Sequence, residues 1–165
     1  MPERSDVAAL LTVSGAVIGA DQFSKALVTA SLGGPGAVRL NLVGSWFSLE
    51  YTENRGAAFG LFPGMAPLLA AGSVLVLGVL LAHFMRTDAP PLWQTMALGA
   101  ILGGAIGNLL DRIRLGYVVD FVSIGPWPNF NVADSAITLG VLALIWAWAK
   151  GGEGAAARNS ADGHT

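Results

Sequence analysis

The sequence predicts an integral membrane protein, mainly α, built as a four-transmembrane-helix bundle with a small extramembrane β-hairpin. Of its 165 residues, 53% are apolar and only 12% are charged, and the mean hydropathy is +0.59. That is far more apolar surface than a water-soluble domain of this size can cover. Four apolar runs approach the ~20 residues a helix needs to cross a bilayer. One further stretch alternates apolar and polar residues around a Gly-Ser turn, the period of paired strands.

The first run, residues 7–20, is uncharged and continues through Asp21, Gln22 and Lys25 to about Ser31, where Gly33-Gly34-Pro35 must stop a helix. A cleavable leader is the competing reading. Ile18 suits a cleavage site poorly, and Glu3 and Asp6 spoil a basic leader, so a retained helix is expected. From Pro35 to Gly60 the chain turns polar and Gly-rich; VRLNLV, Gly44-Ser45 and WFSLEY give the hairpin. Met65 to Met85 contains no formally charged residue and is the second span. After the short polar turn Arg86 to Pro91, the third span runs from Leu92 to Leu110. Its Gly99, Gly103 and Gly107 recur every four residues, which lets another helix backbone come close. Asn108, Asp111 and Arg112 gather at its far end. The fourth span covers about Val132 to Ala149 and closes with Lys150. One domain, residues 1–150, is therefore expected, with the extramembrane region at about 32–60. Residues 151–165 have the composition of a disordered tail.

Charge and residue usage exclude several functions. A net charge of −2 offers no basic stripe for nucleic acid. Without cysteine there is no disulfide, thiolate nucleophile or cysteine metal site. His83 and His164 lie far apart in sequence, so no zinc site is expected. Four spans put both termini on one side, but counting Lys and Arg does not orient the bundle.

The polar residues concentrate at the membrane face opposite the termini. Asp21 and Lys25 are one helical turn apart, acid before base, the better order for an intrahelical pair; an ordinary pair snorkelling at the interface has the same spacing. Asn54 and Gly56 fit a turn. Asp111 ends a helix where the dipole disfavours an anion, so it needs a donor, and Arg112 or Arg114 is available. Asn131 is placed to cap the fourth helix, with Asp134 in its first turn. Asp120 is the residue hardest to explain structurally. It interrupts GYVVDFVSI, an apolar, β-branched stretch that a solvated charge would more naturally flank.

Two carboxylates buried near each other are unfavourable unless they share a proton. A pair made of Asp120 and Asp134 would leave one acid and one base near neutral pH. The base takes a proton from water as it attacks a peptide carbonyl, and the acid donates to the carbonyl oxygen. Such aspartic-protease chemistry requires neither metal nor cofactor.

Five ordered blocks carry a resemblance: Asp21-x-x-x-Lys25, Asn54-Arg55-Gly56-Ala57-Ala58-Phe59, Gly103 to Arg112, Gly116 to Phe121, and Phe130 to Ser135. With the four-span layout, the chain resembles the prolipoprotein signal peptidase (signal peptidase II) family over about residues 5–150. The resemblance implies a multi-pass enzyme of the bacterial inner membrane, with cytoplasmic termini and an active site facing the periplasm. It implies Asp120 and Asp134 as the catalytic pair. Asn54, Asn108, Arg112 and Asn131 match polar residues around substrate and dyad, and Asp21 and Lys25 match a block that supports the site. Gly56 and Asp111 fall within the matched blocks and join the supporting set. It further implies a small sheet and a short helix over the active site, and substrates that are prolipoproteins already carrying a diacylglyceryl group on the cysteine after the cut. Membrane lipid and peptide-like inhibitors are the other expected partners.

A small proton-coupled transporter is the alternative, since intramembrane aspartates also serve proton relays. Such carriers place the ionisable group at mid-span within a repeated architecture. Here the carboxylates cluster at one face and no repeat is visible. A non-catalytic packing subunit is a third reading, and it predicts that substituting Asp120 would mainly lower folded yield.

Overall fold

The computed structural model describes residues 1–56 and 66–162. Helix α1 (Arg4–Leu32) leads to strands β1 (Arg39–Val43) and β2 (Phe47–Asn54), followed by α2 (Ala66–Arg86), α3 (Leu92–Leu115), β3 (Val118–Ile124) and α4 (Val132–Asp162). The resemblance places the short covering helix within about 35–60, and residues 57–65 lie outside the described residues.

Local chemistry sets the helix ends. Glu3 and Asp6 form a capping box at the start of α1, which stops at Gly33. Gly116 ends α3 in the left-handed conformation (φ 81°), its N–H bonded to the Arg112 carbonyl, while Arg112 and Arg114 complement the negative helix end. The third helix therefore runs one turn beyond Leu110. The fourth continues past Lys150 to Asp162 instead of ending there. Among the described residues, Arg4–Leu32 and Leu92–Leu115 are long and apolar enough to cross a bilayer, and Ala70–Arg86 and Val132–Ala147 are shorter apolar helical stretches.

Helix α3 sits at the centre, against α1 on one side and α4 on another, with α2 resting on it as well. The glycine row acts as the sequence suggests: a Cβ at Gly103 would meet the Ser14 carbonyl oxygen at 2.7 Å. Ser14 Oγ donates to the Gly99 carbonyl across the same seam, at 2.9 Å. Gly104, one position on, faces α4, where a Cβ would lie 2.4 Å from the Ala133 carbonyl oxygen. Backbone cannot yield as a flexible side chain can, so Gly104→Ala should push back the first turn of α4 and cost roughly 1–3 kcal/mol of overpacking. Thermal unfolding in detergent would measure it, and an unchanged midpoint would contradict the fit.

The expected hairpin is present, and β3 extends it to an antiparallel sheet of order β1-β2-β3. A cluster of Val28, Leu32, Tyr51, Val119 and Phe121 fixes the sheet to the C-terminal end of α1. A second cluster, Leu10, Phe84, Leu98 and Leu102, joins α1, α2 and α3 toward the opposite end. The sheet end of the bundle thus gathers the end of α3 and the start of α4, the two places where the sequence concentrates its polar residues.

Candidate active site

Asp120 enters the site from β3. In the sheet it lies opposite Thr52, and Asn54 lies opposite Val118, so Asn54 is its diagonal neighbour on the same face. Asn54 Oδ1 accepts the Gly56 N–H at 3.1 Å, which turns its amide nitrogen toward Asp120 Oδ2 at 2.9 Å. Turn formation and a role in the site are thus two uses of one side chain.

Asp134 enters from α4, and the capping reading holds for it in full. The Asp134 N–H donates to Asn131 Oδ1 at 2.9 Å, and Asp134 Oδ2 accepts the Asn131 N–H at 3.3 Å, a reciprocal box at the helix start. Its other oxygen accepts from Asn108 Nδ2 at 2.8 Å. Asn131 also donates its side-chain amide to Asp120 Oδ1 at 2.7 Å. One asparagine therefore grips both carboxyl groups, with its backbone on Asp134 and its side chain on Asp120, and it is fully buried.

Behind this pair lies a second layer. Lys25 Nζ contacts Asp21 Oδ2 and Asp111 Oδ2, both at 2.8 Å, and donates to Asn108 Oδ1 at 3.0 Å. Three acceptors match the three ammonium hydrogens. Because Lys25 and Asn131 both donate to Asn108 Oδ1, the Asn108 amide nitrogen must face Asp134. Asp21 also accepts the Ala133 N–H at 3.0 Å, joining α1 to the first turn of α4.

Two alternative readings of these charges do not hold. Asp21 and Lys25 do not snorkel: they are 0% and 4% exposed. Nor do Arg112 and Arg114 bond Asp111; its donors are Lys25, Gln22 Nε2 at 2.9 Å and the Val119 N–H at 3.2 Å. Arg112 bonds the Asn108 carbonyl, and Arg114 bonds Gln22 Oε1. The absence of a Cβ at Gly107 makes this possible, since one there would lie 2.7 Å from Asp21 Oδ2.

Burial is the main reason that the Asp120 carboxyl is pushed up to about 7, and the like charge of Asp134 adds to it; hydrogen bonds from Asn54 and Asn131 and the charge of Lys25 oppose the shift. A cavity of about 600 Å³ opens beside the pair. Asn54, Asn108, Arg112 and Asp134 form its polar wall, and Val118, Phe130, Ile137 and Leu139 contribute apolar lining. Asp120, 2% exposed, is joined to that wall by the hydrogen bond from Asn54 Nδ2. Among the described residues, no group of three or more His, Cys, Asp or Glu is arranged to hold a metal ion.

Two contributors were not singled out from sequence. Gln22 bridges Asp21, Asp111 and the Gly107 carbonyl; its place between two charged residues in an apolar run was the available signal. Asn129 lines the cavity and ties its loop to β2 through Glu50 at 3.0 Å and Thr52 at 2.7 Å. Nothing in its local sequence marks it.

Residues 13–150 match the family described as signal peptidase (SPase) II. A lipoprotein signal peptidase of Dehalococcoides mccartyi is 43% identical over 130 residues, covering 76% of this chain and 79% of that protein. One from Moorella thermoacetica is 42% identical over 132 residues, covering 79% and 85%. A solved bacterial membrane enzyme superposes with a TM-score of 0.80 at 28% identity, covering 87% of this chain and 89% of its own. A second gives 0.77 at 26% identity, covering 86% and 93%.

Proposed function

We infer the chemistry of this site from one premise: the chain belongs to the signal peptidase II family and removes signal peptides from prolipoproteins. The mechanism proposed is that of an aspartic endopeptidase with Asp120 and Asp134 as its catalytic pair. The observation that carries it is Asn131, which holds both carboxyl groups at once.

Their settings differ in a useful way. Each accepts from two N–H donors, but Asp134 alone also sits at the N-terminal end of α4, where the helix dipole favours the anion. Asp120 sits on a buried strand that favours the neutral acid. Asp134 is accordingly the base and Asp120 the holder of the shared proton. Water gives a proton to Asp134 as its oxygen bonds to the scissile carbonyl carbon, and Asp120 protonates the carbonyl oxygen. Collapse of the tetrahedral intermediate breaks the C–N bond; Asp134 passes its proton to the leaving amine, and the gem-diol proton returns to Asp120. Arg112, half-buried at the cavity wall, interacts electrostatically with Asp134, Asp120 and Asp111. Asn54, Gly56, Asn108, Asn131, Asp21, Lys25 and Asp111 hold the pair in place.

The proposed substrate carries a diacylglyceryl group on the cysteine that follows the cut. All four long helices are read as crossing the bacterial inner membrane, with the termini cytoplasmic and the sheet end periplasmic. A lipid anchored in the same bilayer fixes the depth of the scissile bond, so orientation supplies part of the rate. The test is cleavage by the detergent-purified protein of matched precursor peptides with and without the diacylglyceryl group, analysed by mass. The lipidated peptide should be cut before its modified cysteine, and cutting should survive EDTA. Equal cutting of both peptides, or a loss that added metal restores, would overturn the reading.

A further inference from the structure

We propose that the Thr138 hydroxyl binds an ester carbonyl of the substrate's diacylglyceryl group, and so reads how the acyl chains are linked to their glycerol. The proposal rests on the proteolytic reading above and names a lipid-binding residue within that same cavity.

Thr138 lies four residues after Asp134 on α4, which puts it on the same helix face, ~6 Å farther from the sheet end. Both residues line the active-site cavity, and Ile137 and Leu139 line it beside Thr138. The wall therefore changes character along α4: a carboxylate at the helix start, one hydroxyl a turn deeper, and apolar side chains around it. In a bundle that crosses the bilayer that turn lies below the polar rim, where water no longer competes for a hydroxyl.

A threonine in a helix ordinarily settles its hydroxyl on the carbonyl one turn back. Thr29 donates in this way to the Lys25 carbonyl at 2.8 Å, Ser135 to that of Asn131 at 3.0 Å, and Thr87, just past the end of α2, to that of His83 at 3.0 Å. Thr138 departs from this pattern. Among the described residues its hydroxyl has no partner, and Thr138 is exposed where it lines the cavity. A donor left open at that depth is unfavourable unless whatever fills the cavity accepts it.

The substrate brings acceptors of suitable chemistry to this level. In a diacylglyceryl cysteine the first ester carbonyl group lies about seven covalent bonds of ~1.5 Å from the cysteine nitrogen, a reach of ~6–9 Å. The cysteine nitrogen is the leaving amine that takes its proton from Asp134, so this reach matches one turn of α4. The acyl chains beyond the esters then meet Ile137 and Leu139, which need no hydrogen bond. Peptide carbonyls fit the place less well, because their neighbouring N–H groups would be left without acceptors against that apolar wall.

The test is a two-by-two comparison of protein and lipid. Wild type, Thr138→Val and Thr138→Ser would be assayed on a precursor peptide carrying the diacylglyceryl group and on the same peptide with two ether-linked alkyl chains, which keep the apolar bulk and lose the carbonyls. Valine replaces the hydroxyl by a methyl of similar size, and serine keeps the hydroxyl. On the diester peptide, Thr138→Val is expected to raise KM ~3–10-fold with kcat retained, while Thr138→Ser stays near wild type. Wild type should show a similar rise on the diether peptide, to which Thr138→Val adds nothing further. A KM on the diester peptide that valine leaves unchanged would overturn the assignment, and so would equal rises on both peptides, the mark of a packing role. Failure of the wild type to cut the diester peptide at all would sink the proteolytic reading and this one with it.

Discussion

Asp120→Asn and Asp134→Asn are each expected to lower kcat by at least ~100-fold, the smallest usual contribution of a positioned acid or base. Both should do so without loss of fold. An asparagine keeps an oxygen able to accept from Asn54 or Asn131 and relieves the cost of a buried charge. The folded protein holds the Asp120 proton up to about 7, whereas an unfolded chain releases it near ~3.9. The folded state therefore binds the extra proton, and its ionisation costs stability progressively as pH rises from about 4 through 7. Asn at 120 should remove that slope, so the variant unfolds no earlier than wild type at neutral pH while failing to cut. A packing subunit would show the reverse, lost yield first. The double variant should be little worse than either single one, since residues that act as a unit are not additive.

Lys25→Met is expected to have the second-largest effect. Methionine keeps the apolar stem and deletes only the ammonium, leaving Asp21 and Asp111 buried with one cationic partner fewer. Breaking a buried pair in this way typically costs ~3–5 kcal/mol. Activity should fall further than stability alone explains, because Lys25 also fixes which way the Asn108 amide faces Asp134. Arg86→Ala, on an exposed residue at the far end of α2, is the comparison and should leave cleavage near wild type. Equal losses from the two substitutions, measured at a temperature where both proteins are folded, would contradict a one-sided site.

The parts of this site that were legible in sequence are those with a local signature. Asp120 interrupts a β-branched run, Asn131 and Asp134 have capping spacing, and the glycine row of α3 announces close helix contact. The partner of Asp111 was not legible, because it lies on α1, 86 residues earlier, and α1 comes this close only because Gly107 leaves room for Asp21. The same holds for Asn129, whose partners on β2 depend on a loop folding back across the sheet. Asn131 had a local reading as a helix cap, and that reading is correct; its second hold, on a strand residue 11 positions earlier, appears only once β3 and α4 are brought together. Periodicity located the bundle and the hairpin. It did not reveal that β3 completes the sheet and carries Asp120 into the site.

The paired-aspartate mechanism depends most directly on one proton being divided between Asp120 and Asp134, and the pH dependence of kcat/KM on a lipidated precursor reads that state in the free enzyme. The profile should be bell-shaped. Its alkaline limb should fall through about 7 as Asp120 loses the proton it donates, and its acid limb should fall as Asp134 gains one. A rate that stays flat, or climbs, from pH 6 to about 9 would mean that no carboxylic acid takes part, and the paired-aspartate mechanism would be wrong.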